Sequence, residues 1–204
     1  LSEKHLTESS MDVDINMEKI KKTEPDIHKD GRYQRYQQTD TGVSPLLFPP
    51  SKLMIKWNSY EHDEQGYTTE DAEAIAQMHM KRRKKQESLI RYLQEKVQTV
   101  NEFGSGDPCV FTFGSTTMSV LEAVIHADLP CTVVQPIYLQ PFPSWNLMKY
   151  VGRNAIVVEQ NSTGQLEQLL REKIGITPVS SIRQFDGRPF DPVFLAEQLR
   201  KVIG

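Results

Sequence analysis

The sequence has only two cysteines, Cys109 and Cys131, and no apolar run long enough to cross a membrane. Two thiols cannot build a disulfide framework, and they are too few for the four thiolates of an iron–sulfur cluster. A membrane-spanning helix needs about 18 or more consecutive apolar residues, so no membrane association is predicted. The first ten residues contain neither a basic nor an apolar segment, which predicts no signal peptide and a reduced, cytoplasmic setting.

An excess of charge of one sign is also missing. The chain has 24 Lys and Arg against 27 Asp and Glu, for a formal net charge of −3. Nucleic-acid-binding domains usually carry a strong basic excess, so no nucleic-acid partner is predicted. Hydrophobic residues make up 38% of the chain, below the roughly 45–50% of typical globular domains. Part of the chain is therefore expected to lie outside the core. Because the sequence begins at Leu1 and not at a methionine, we also expect it to be a piece of a longer protein.

The shortage of apolar residues falls mainly on residues 1–49, where charged and polar side chains dominate and no helical stripe persists. Such segments bury too little surface to offset the entropy of ordering. We therefore predict an extended arm or linker over 1–49, in which the alternation at 13–17 is compatible with a short strand added to a neighbour. Prolines at positions 45, 49 and 50 exclude a helix at its end. Residues 50–204 are predicted to form one α/β domain.

Short apolar runs alternate with helical segments through this domain. Strands are predicted near residues 53–57, 109–113, 131–135, 155–159 and 181–185. Alternating strands and helices of these lengths are typical of a largely parallel sheet covered by helices on both faces.

The helices between the strands have recognisable starts. A first helix is predicted from a cap at Thr68 or Thr69 to about Asn101, and others over 144–151 and 163–174. Asp191 followed by proline predicts the N-cap of the last helix. A helix from Ser115 or Thr116 to Ala127 is expected to turn three residues toward the core, namely Met118, Leu121 and Ile125.

Several strings in a fixed order carry a family resemblance. They are GVSPLLFPP (42–50), EHDEQGYTTED (61–71) with KRRKK (81–85), FTFGSTTMSVLEAV (111–124), YLQPFP (138–143), and VVEQNSTGQLEQLLREKIGI (157–176) with FDGRPF (185–190). Their order and spacing resemble the C-terminal region of 2-oxoacid:ferredoxin oxidoreductase α subunits. The opening LSE resembles the point where that family leaves its pyrimidine-binding domain. One departure is that Leu46 and Pro50 stand where the family usually has Arg and Gly.

The resemblance implies a transketolase C-terminal-like fold. This fold is a three-layer α/β/α sandwich around a five-stranded, mostly parallel sheet in the order 1-3-2-4-5, with strand 1 antiparallel. The resemblance also implies a parent enzyme that oxidatively decarboxylates a 2-oxoacid with coenzyme A and passes electrons to ferredoxin. That enzyme would use thiamine diphosphate, magnesium and iron–sulfur clusters. The implied partners are the other domains of the α subunit and a thiamine-diphosphate-binding β subunit.

The motifs for that chemistry are missing from the chain. Thiamine-diphosphate sites in this family resemble a Gly-Asp-Gly sequence followed later by paired Asn, and the sequence contains no Gly-Asp-Gly. We therefore expect no cofactor, metal or catalytic residue in this chain. The leading interpretation is a non-catalytic assembly domain.

The loops that follow the strands hold the candidate binding residues. Carboxyl ends of parallel strands meet at one edge of a sheet, so these loops are predicted to share an edge that faces a partner or an anion. The candidate residues are Gly114, Ser115, Thr116, Glu159, Asn161, Thr163, Gly164 and Arg188. The alternative function, an anion- or nucleotide-binding regulatory domain, would use the helix N-termini at this edge.

Each of these loops also has a plain structural interpretation. Gly114 permits a turn, and Ser115 or Thr116 caps the next helix. Glu159 accepts backbone N–H groups, bridges to a neighbouring subunit, or acts as a general acid or base, although no second titratable group is predicted beside it. Arg188 lies either in a structural turn or against a partner carboxylate.

The strongest charge feature is the run Lys81-Arg82-Arg83-Lys84-Lys85. At about 100° per residue, five consecutive residues go right round a helix and form a collar. Exposure to solvent, or pairing with Glu61, Asp63 and Glu64, is one interpretation. Contact with a phosphate-bearing ligand or nucleic acid, as a basic interaction module, is the other, although no aromatic residues interrupt the run to stack on bases. The acidic segment 61–64 has no known metal-ligand spacing, so no metal site is predicted.

Overall fold

The structure is a computed structural model that describes residues 32–204. Its contacts define two compact units, one ending at Lys85 and the other covering Gln86–Gly204. Helix α1 (Ala72–Lys96) begins in the first unit and ends in the second. The predicted strand at 13–17 lies outside the described residues. From residue 32 onward, no helix is both long enough and apolar enough to span a membrane.

The second unit is built on a five-stranded sheet. Its strands are β1 (Val100–Gly104), β2 (Cys109–Phe111), β3 (Thr132–Pro136), β4 (Ala155–Glu159) and β5 (Ser180–Arg183). They lie in the order β1-β3-β2-β4-β5. β1 runs antiparallel to β3, and the other three pairs are parallel. The predicted sheet order and the antiparallel first strand are therefore confirmed.

The position of the first strand was predicted wrongly. Residues 53–57 form no strand, and Met54 and Trp57 are exposed. The antiparallel strand is β1, because α1 ends at Lys96 rather than near Asn101. The segment after Lys96 contains β-branched residues at 97, 99 and 100, which favour extended backbone. Pairing with β3 buries Val100, whereas the periodicity alone resembled a continuing helix.

Helices cover both faces of the sheet. They are α2 (Thr116–Ala127), α3 (Ser144–Leu147) with a 3₁₀ turn at Met148–Tyr150, α4 (Gln165–Ile174) and α5 (Pro192–Ile203). Successive strand side chains point to opposite faces. Phe111 and Val157 pack with residues of α3 and α4, and Val110 and Ile156 pack with residues of α2 and α5. The three-layer α/β/α arrangement is therefore confirmed.

The buried face of α2 differs from the prediction. Met118 and Ile125 are exposed and Leu121 is half-buried. The buried residues are small ones, namely Thr116, Thr117, Val120, Ala123 and Ala127. Because α2 packs against α5, small side chains let the two helices approach closely. Of the three predicted residues, only Leu121 packs against the core. Residue size therefore decided most of the buried face.

Two acidic residues cap helices. Asp191 Oδ1 accepts the N–H groups of Val193 at 2.8 Å and Phe194 at 3.1 Å, which confirms the predicted N-cap of α5. At the start of α1, Asp71 Oδ1 accepts the N–H of Ala74 at 2.8 Å. The N-cap of α1 is therefore Asp71, and the prediction of Thr68 or Thr69 was wrong. An ionised carboxylate caps a helix strongly because it also meets the positive end of the helix dipole.

In the first unit, residues 32–47 make specific contacts with one another and with the segment 58–85. The Tyr33 hydroxyl donates to the carbonyl of Pro45 at 2.8 Å and accepts the N–H of Leu47 at 3.1 Å. The Tyr36 ring stacks on His62, with ring centroids 3.5 Å apart. The division into an arm at 1–49 and a domain at 50–204 stays a prediction.

Candidate functional site

The parallel strands β2, β4 and β5 end at the same edge of the sheet. Phe111 lies opposite Val157, and Glu159 lies opposite Arg183. The turns that follow these strands therefore share that edge. They contain the eight candidate residues of the sequence, Gly114, Ser115, Thr116, Glu159, Asn161, Thr163, Gly164 and Arg188.

The turns after β4 and β5 are joined by hydrogen bonds. The Gln160 side-chain amide donates to the carbonyl of Arg188, and Arg183 Nη1 donates to the carbonyl of Ser162 at 3.3 Å. Within residues 32–204, no hydrogen bond links either turn to Gly114–Thr116. The edge therefore consists of one joined pair of turns and one separate turn.

Glu159 lies at the centre of the joined pair and is completely buried. Its Oε2 accepts the N–H of Leu166 at 2.8 Å and the side-chain amide of Asn161 at 2.6 Å. Its Oε1 accepts the N–H of Glu167 at 3.3 Å. Both carboxylate oxygens are therefore occupied by the first turn of α4 and by its loop.

Asn161 completes this cap on α4. Its Oδ1 accepts the N–H groups of Thr163 at 3.2 Å, Gly164 at 2.8 Å and Gln165 at 3.2 Å. A helix N-terminus ordinarily leaves N–H groups that can bind an anion. Here Asn161 and Glu159 together take the N–H groups of five consecutive residues, 163–167. This helix end therefore offers no free donor to an anion.

Gly164 has a backbone conformation that this cap requires. Its φ is +73°, in the left-handed region that side chains disfavour. A Cβ at this position would lie 3.5 Å from Glu159 Oε1 and 3.4 Å from Arg183 Nη1. Gly164 thus lets the loop turn above the buried carboxylate.

The turn after β2 is capped differently. Ser115 occupies the N-cap of α2, but its side chain makes no capping hydrogen bond. The carbonyls of Gly114 and Ser115 accept the N–H groups of Thr117 and Met118, both at 3.3 Å. The predicted hydroxyl cap by Ser115 or Thr116 is therefore absent, and Gly114 and Ser115 are exposed to solvent.

Arg188 is engaged inside its own turn. Its guanidinium binds the carboxylate of Asp186, with Nε 2.8 Å from Oδ2, and its N–H donates to Asp186 Oδ1 at 3.1 Å. These hydrogen bonds from Arg188 lower the pKa of Asp186 to about 2. The structural turn is therefore present, while a role for Arg188 and the other seven residues in facing a partner or an anion stays a prediction.

A groove beside the last strand was missed from the sequence. It has a volume of about 1040 Å³ and is lined by β5, by the turn 184–191 and by α5. β5 pairs with β4 on one side, and no other described strand adjoins it. Phe194 lines the groove and is 56% exposed, with Phe185 and Val193 exposed nearby. In the sequence, the only indication of this groove is the set of phenylalanines at 185, 190 and 194.

Arg82 and Lys84 of the basic run each lie beside an acidic side chain. Arg82 Nη2 binds Glu61 Oε1 at 2.7 Å, which confirms the predicted pairing for this residue. The hydrogen bond from Arg82 is the main cause that lowers the pKa of Glu61. Lys84 lies 4.0 Å from Asp40.

Comparison with known proteins identifies relatives that match most of this chain. No protein-family model matches the chain. The α subunit of 2-oxoacid:ferredoxin oxidoreductase 2 from Aeropyrum pernix is 31% identical over 177 residues, which cover 84% of this chain and 27% of that subunit. The α subunit of 2-oxoacid:ferredoxin oxidoreductase 1 from Sulfurisphaera tokodaii is 30% identical over 196 residues, which cover 93% of this chain and 31% of that subunit. The chain is a relative of the 2-oxoacid:ferredoxin oxidoreductase α subunits.

A solved structure agrees with this relationship. It is a 2-oxoglutarate:ferredoxin oxidoreductase from Magnetococcus marinus with 2-oxoglutarate, coenzyme A and succinyl-CoA bound. The two structures align with a TM-score of 0.70 and 25% identity over 87% of this chain and 32% of that chain. The chain thus spans less than a third of the oxidoreductase subunits that it matches.

The described residues do not fit the metal centres that such an oxidoreductase implies. In the region 32–204, no group of three or more His, Cys, Asp or Glu side chains is placed to hold a metal ion. Cys109 and Cys131 are both buried, and burial raises the pKa of each thiol, that of Cys131 to about 11. Buried, protonated thiols are poor ligands for a cluster.

Proposed function

We propose that this chain is a non-catalytic assembly domain of the α subunit of a 2-oxoacid:ferredoxin oxidoreductase. The parent reaction would be the coenzyme A-dependent oxidative decarboxylation of a 2-oxoacid, with ferredoxin as the electron acceptor. Thiamine diphosphate, magnesium and the iron–sulfur clusters would be held by other parts of a cytoplasmic enzyme, including a thiamine-diphosphate-binding β subunit. The relatives, which are named as α subunits of this enzyme, support the proposal.

The burial and the hydrogen bonds of Glu159 are the main support for the proposal that this domain is non-catalytic. A general acid or base must reach the proton that it transfers, directly or through one water molecule. Glu159 is completely buried, and its oxygens are engaged by Leu166, Glu167 and Asn161. Proton transfer by this carboxylate would break the cap of α4. The best-placed carboxylate of the edge is therefore better explained as a structural group.

The groove beside β5 is the proposed docking surface. An unpaired edge strand presents N–H and C=O groups that another chain segment can bind. Exposed aromatic side chains such as Phe194 are the residue type that anchors many protein interfaces. We assign the remainder of the α subunit as the occupant. The chain spans less than a third of its relatives' length, so most of that subunit is available to cover this face.

The alternative function is an anion- or nucleotide-binding regulatory domain at the carboxyl edge. The closed N-terminus of α4 disfavours it, because Asn161 and Glu159 take the N–H groups there. The turn at Gly114 and Ser115, which has no side-chain cap, is the feature that still favours it. Calorimetric titration with phosphate separates the two functions, since only the alternative requires binding that is lost when Ser115 is replaced by proline.

A binding experiment with a matched control tests the assembly role. The remainder of the α subunit, expressed separately, is expected to bind this chain. Phe194→Asp should weaken that binding at least tenfold, which is about 1.4 kcal/mol. Ile125→Asp changes an even more exposed apolar residue on α2, outside the groove, and should change binding less than twofold.

Two results would contradict the proposed docking. Equal weakening by Phe194→Asp and Ile125→Asp would mean that the groove is not the contact. Binding to the β subunit alone, with none to the remainder of the α subunit, would mean that the wrong occupant has been assigned.

A further inference from the structure

A pocket in the first unit gathers four cationic side chains. It has a volume of about 310 Å³ and lies between the segment 35–46 and one face of α1. Its cationic lining consists of Arg35, Lys81, Arg82 and Lys85. Lys81 and Lys85 are four residues apart on the helix, so they lie on the same face. Three members of the basic run, Lys81, Arg82 and Lys85, therefore line one concave site.

The positive charge of this pocket is only partly balanced. Arg82 is paired with Glu61. Among the ion pairs of residues 32–204, none includes Arg35, Lys81 or Lys85. Like charges held together on a half-buried surface repel one another unless an anion lies between them.

The Lys81 ammonium group is affected by this repulsion and by burial. Burial lowers the pKa of Lys81, and the charges of Lys85 and Arg35 lower it further. Glu64 is the carboxylate that favours the charged form of Lys81, but its Oε2 also accepts the N–H of Gln38 at 3.1 Å. The positive charges near Lys81 thus outnumber the carboxylates that act on it.

The wall of the pocket is held in place by its own contacts. A Cβ on Gly42 would lie 2.4 Å from the backbone nitrogen of Lys85 and 2.6 Å from the carbonyl oxygen of Lys81, so the loop sits directly on the helix. The Tyr36 N–H donates to the carbonyl of Glu64 at 2.9 Å, and Ser44 Oγ donates to the carbonyl of Gln37 at 2.9 Å. The segment is therefore already shaped before any ligand binds.

The pocket also has apolar and aromatic surfaces. Met78 is 4% exposed and lines the pocket, together with Val43 and Leu46. The stacked rings of Tyr36 and His62 form another part of the lining. Cations beside flat and apolar surfaces are suited to a ligand with one anionic end and a less polar body.

We propose that this pocket binds a phosphate-bearing small molecule the size of a mononucleotide or smaller. Arg35, Lys81 and Lys85 would hold the phosphate, since guanidinium and ammonium groups bind phosphate oxygens by charge-assisted hydrogen bonds. The less polar part would lie against Tyr36, His62 and Met78. A volume near the lower end of the usual range of about 300–1,000 Å³ sets the upper limit on size. This site is independent of the assembly role and lies in the other compact unit.

Isothermal titration calorimetry with pyrophosphate, adenosine monophosphate and citrate tests the site. Pyrophosphate and adenosine monophosphate are expected to bind with a stoichiometry of one. Lys81→Gln and Lys85→Gln should each weaken this binding at least tenfold. Arg35→Gln, which changes a different segment, should do the same. Lys84→Gln removes an equal charge from the same basic run but outside the pocket, and should change binding less than twofold.

Three outcomes would overturn the proposal. One is the absence of binding by both phosphate compounds. Another is equal weakening by Lys84→Gln and Lys81→Gln, which would show general attraction to a basic helix. The third is binding of citrate as tight as that of pyrophosphate, which would show a site for any polyanion. Thermal melting of each variant identifies loss of fold, and Arg35→Gln provides a second variant if a lysine variant does not fold.

Discussion

Glu159 lies at the carboxyl end of a parallel strand, the edge of the sheet at which open α/β proteins bind their ligands. The sequence places it there but leaves its role open, because a helix cap and an acid–base residue look alike in one dimension. Its burial, and its bonds to Leu166, Glu167 and Asn161, depend on how the chain folds back at Gly164. The position of Glu159 could therefore be predicted from the sequence, but its role could not.

Replacing Glu159 should lower stability. Glu159→Ala leaves the buried N–H of Leu166 and the half-buried N–H of Glu167 without an acceptor, so we expect the free energy of unfolding to fall by about 2–4 kcal/mol. Glu159→Gln keeps the shape but exchanges one acceptor oxygen for a donor, and about 1–3 kcal/mol is expected. Urea denaturation measures both changes. The control Glu172→Gln alters an exposed residue of the same helix and should cost less than about 0.5 kcal/mol. Equal stability of Glu159→Gln and the unchanged chain would contradict the proposed cap.

The two cysteine thiols should be unreactive in the folded protein. Cys109 and Cys131 are buried, and burial raises the pKa of both. The folded state therefore holds these protons to higher pH than the unfolded chain does. The resulting stability is fully present below pH 9.0 and is lost as the pH rises toward about 11, the pKa of Cys131.

Thiol labelling and alkaline unfolding check this prediction. A thiol reagent at pH 8 should react only when denaturant is added, and the urea midpoint should fall between pH 9 and 11. In a variant with both cysteines replaced by alanine, the part of that fall due to the thiols should disappear. Rapid labelling of the folded chain would contradict the burial of these residues.

Among the elements, those with a strong local signal were predicted well. β4 matches its predicted range of 155–159, and Asp191 caps α5 as its sequence indicates. β1 was missed because only its pairing with β3 gives residues after Lys96 a reason to leave the helix. The buried face of α2 was missed because it is decided by close packing against α5. The start of β1 and the buried face of α2 are both determined by tertiary contacts, which a local sequence pattern does not contain.

The cap of α5 can be tested separately. Asp191→Ala removes the acceptor of the Val193 and Phe194 N–H groups, so we expect a loss of about 1 kcal/mol in the free energy of unfolding. Asp191→Asn retains a side-chain oxygen and should recover most of that loss. Chemical denaturation compares the three chains. If Asp191→Asn were as unstable as Asp191→Ala, the hydrogen bonds would not be the source of the stability.

For the whole molecule, the sheet order and the shared carboxyl edge could be predicted from alternating strands and helices together with the family resemblance. The groove beside β5 and the cationic pocket could not. The first depends on β5 having a strand neighbour on one side only among the described residues. The second depends on residues 35–46 meeting α1, a contact that no local pattern encodes. Surfaces formed by segments that are distant in sequence could thus not be predicted from the sequence of this molecule.

The central claim is that this chain contributes assembly to a 2-oxoacid:ferredoxin oxidoreductase without performing its chemistry. The most direct test is coenzyme A-dependent dye reduction by the purified 204-residue chain, supplied with thiamine diphosphate, magnesium and several 2-oxoacids in turn. We predict no rate above the background without protein, for the unchanged chain and for Glu159→Gln alike. Turnover by the purified chain that is abolished in a folded Glu159→Gln variant would contradict the account and make this carboxylate catalytic.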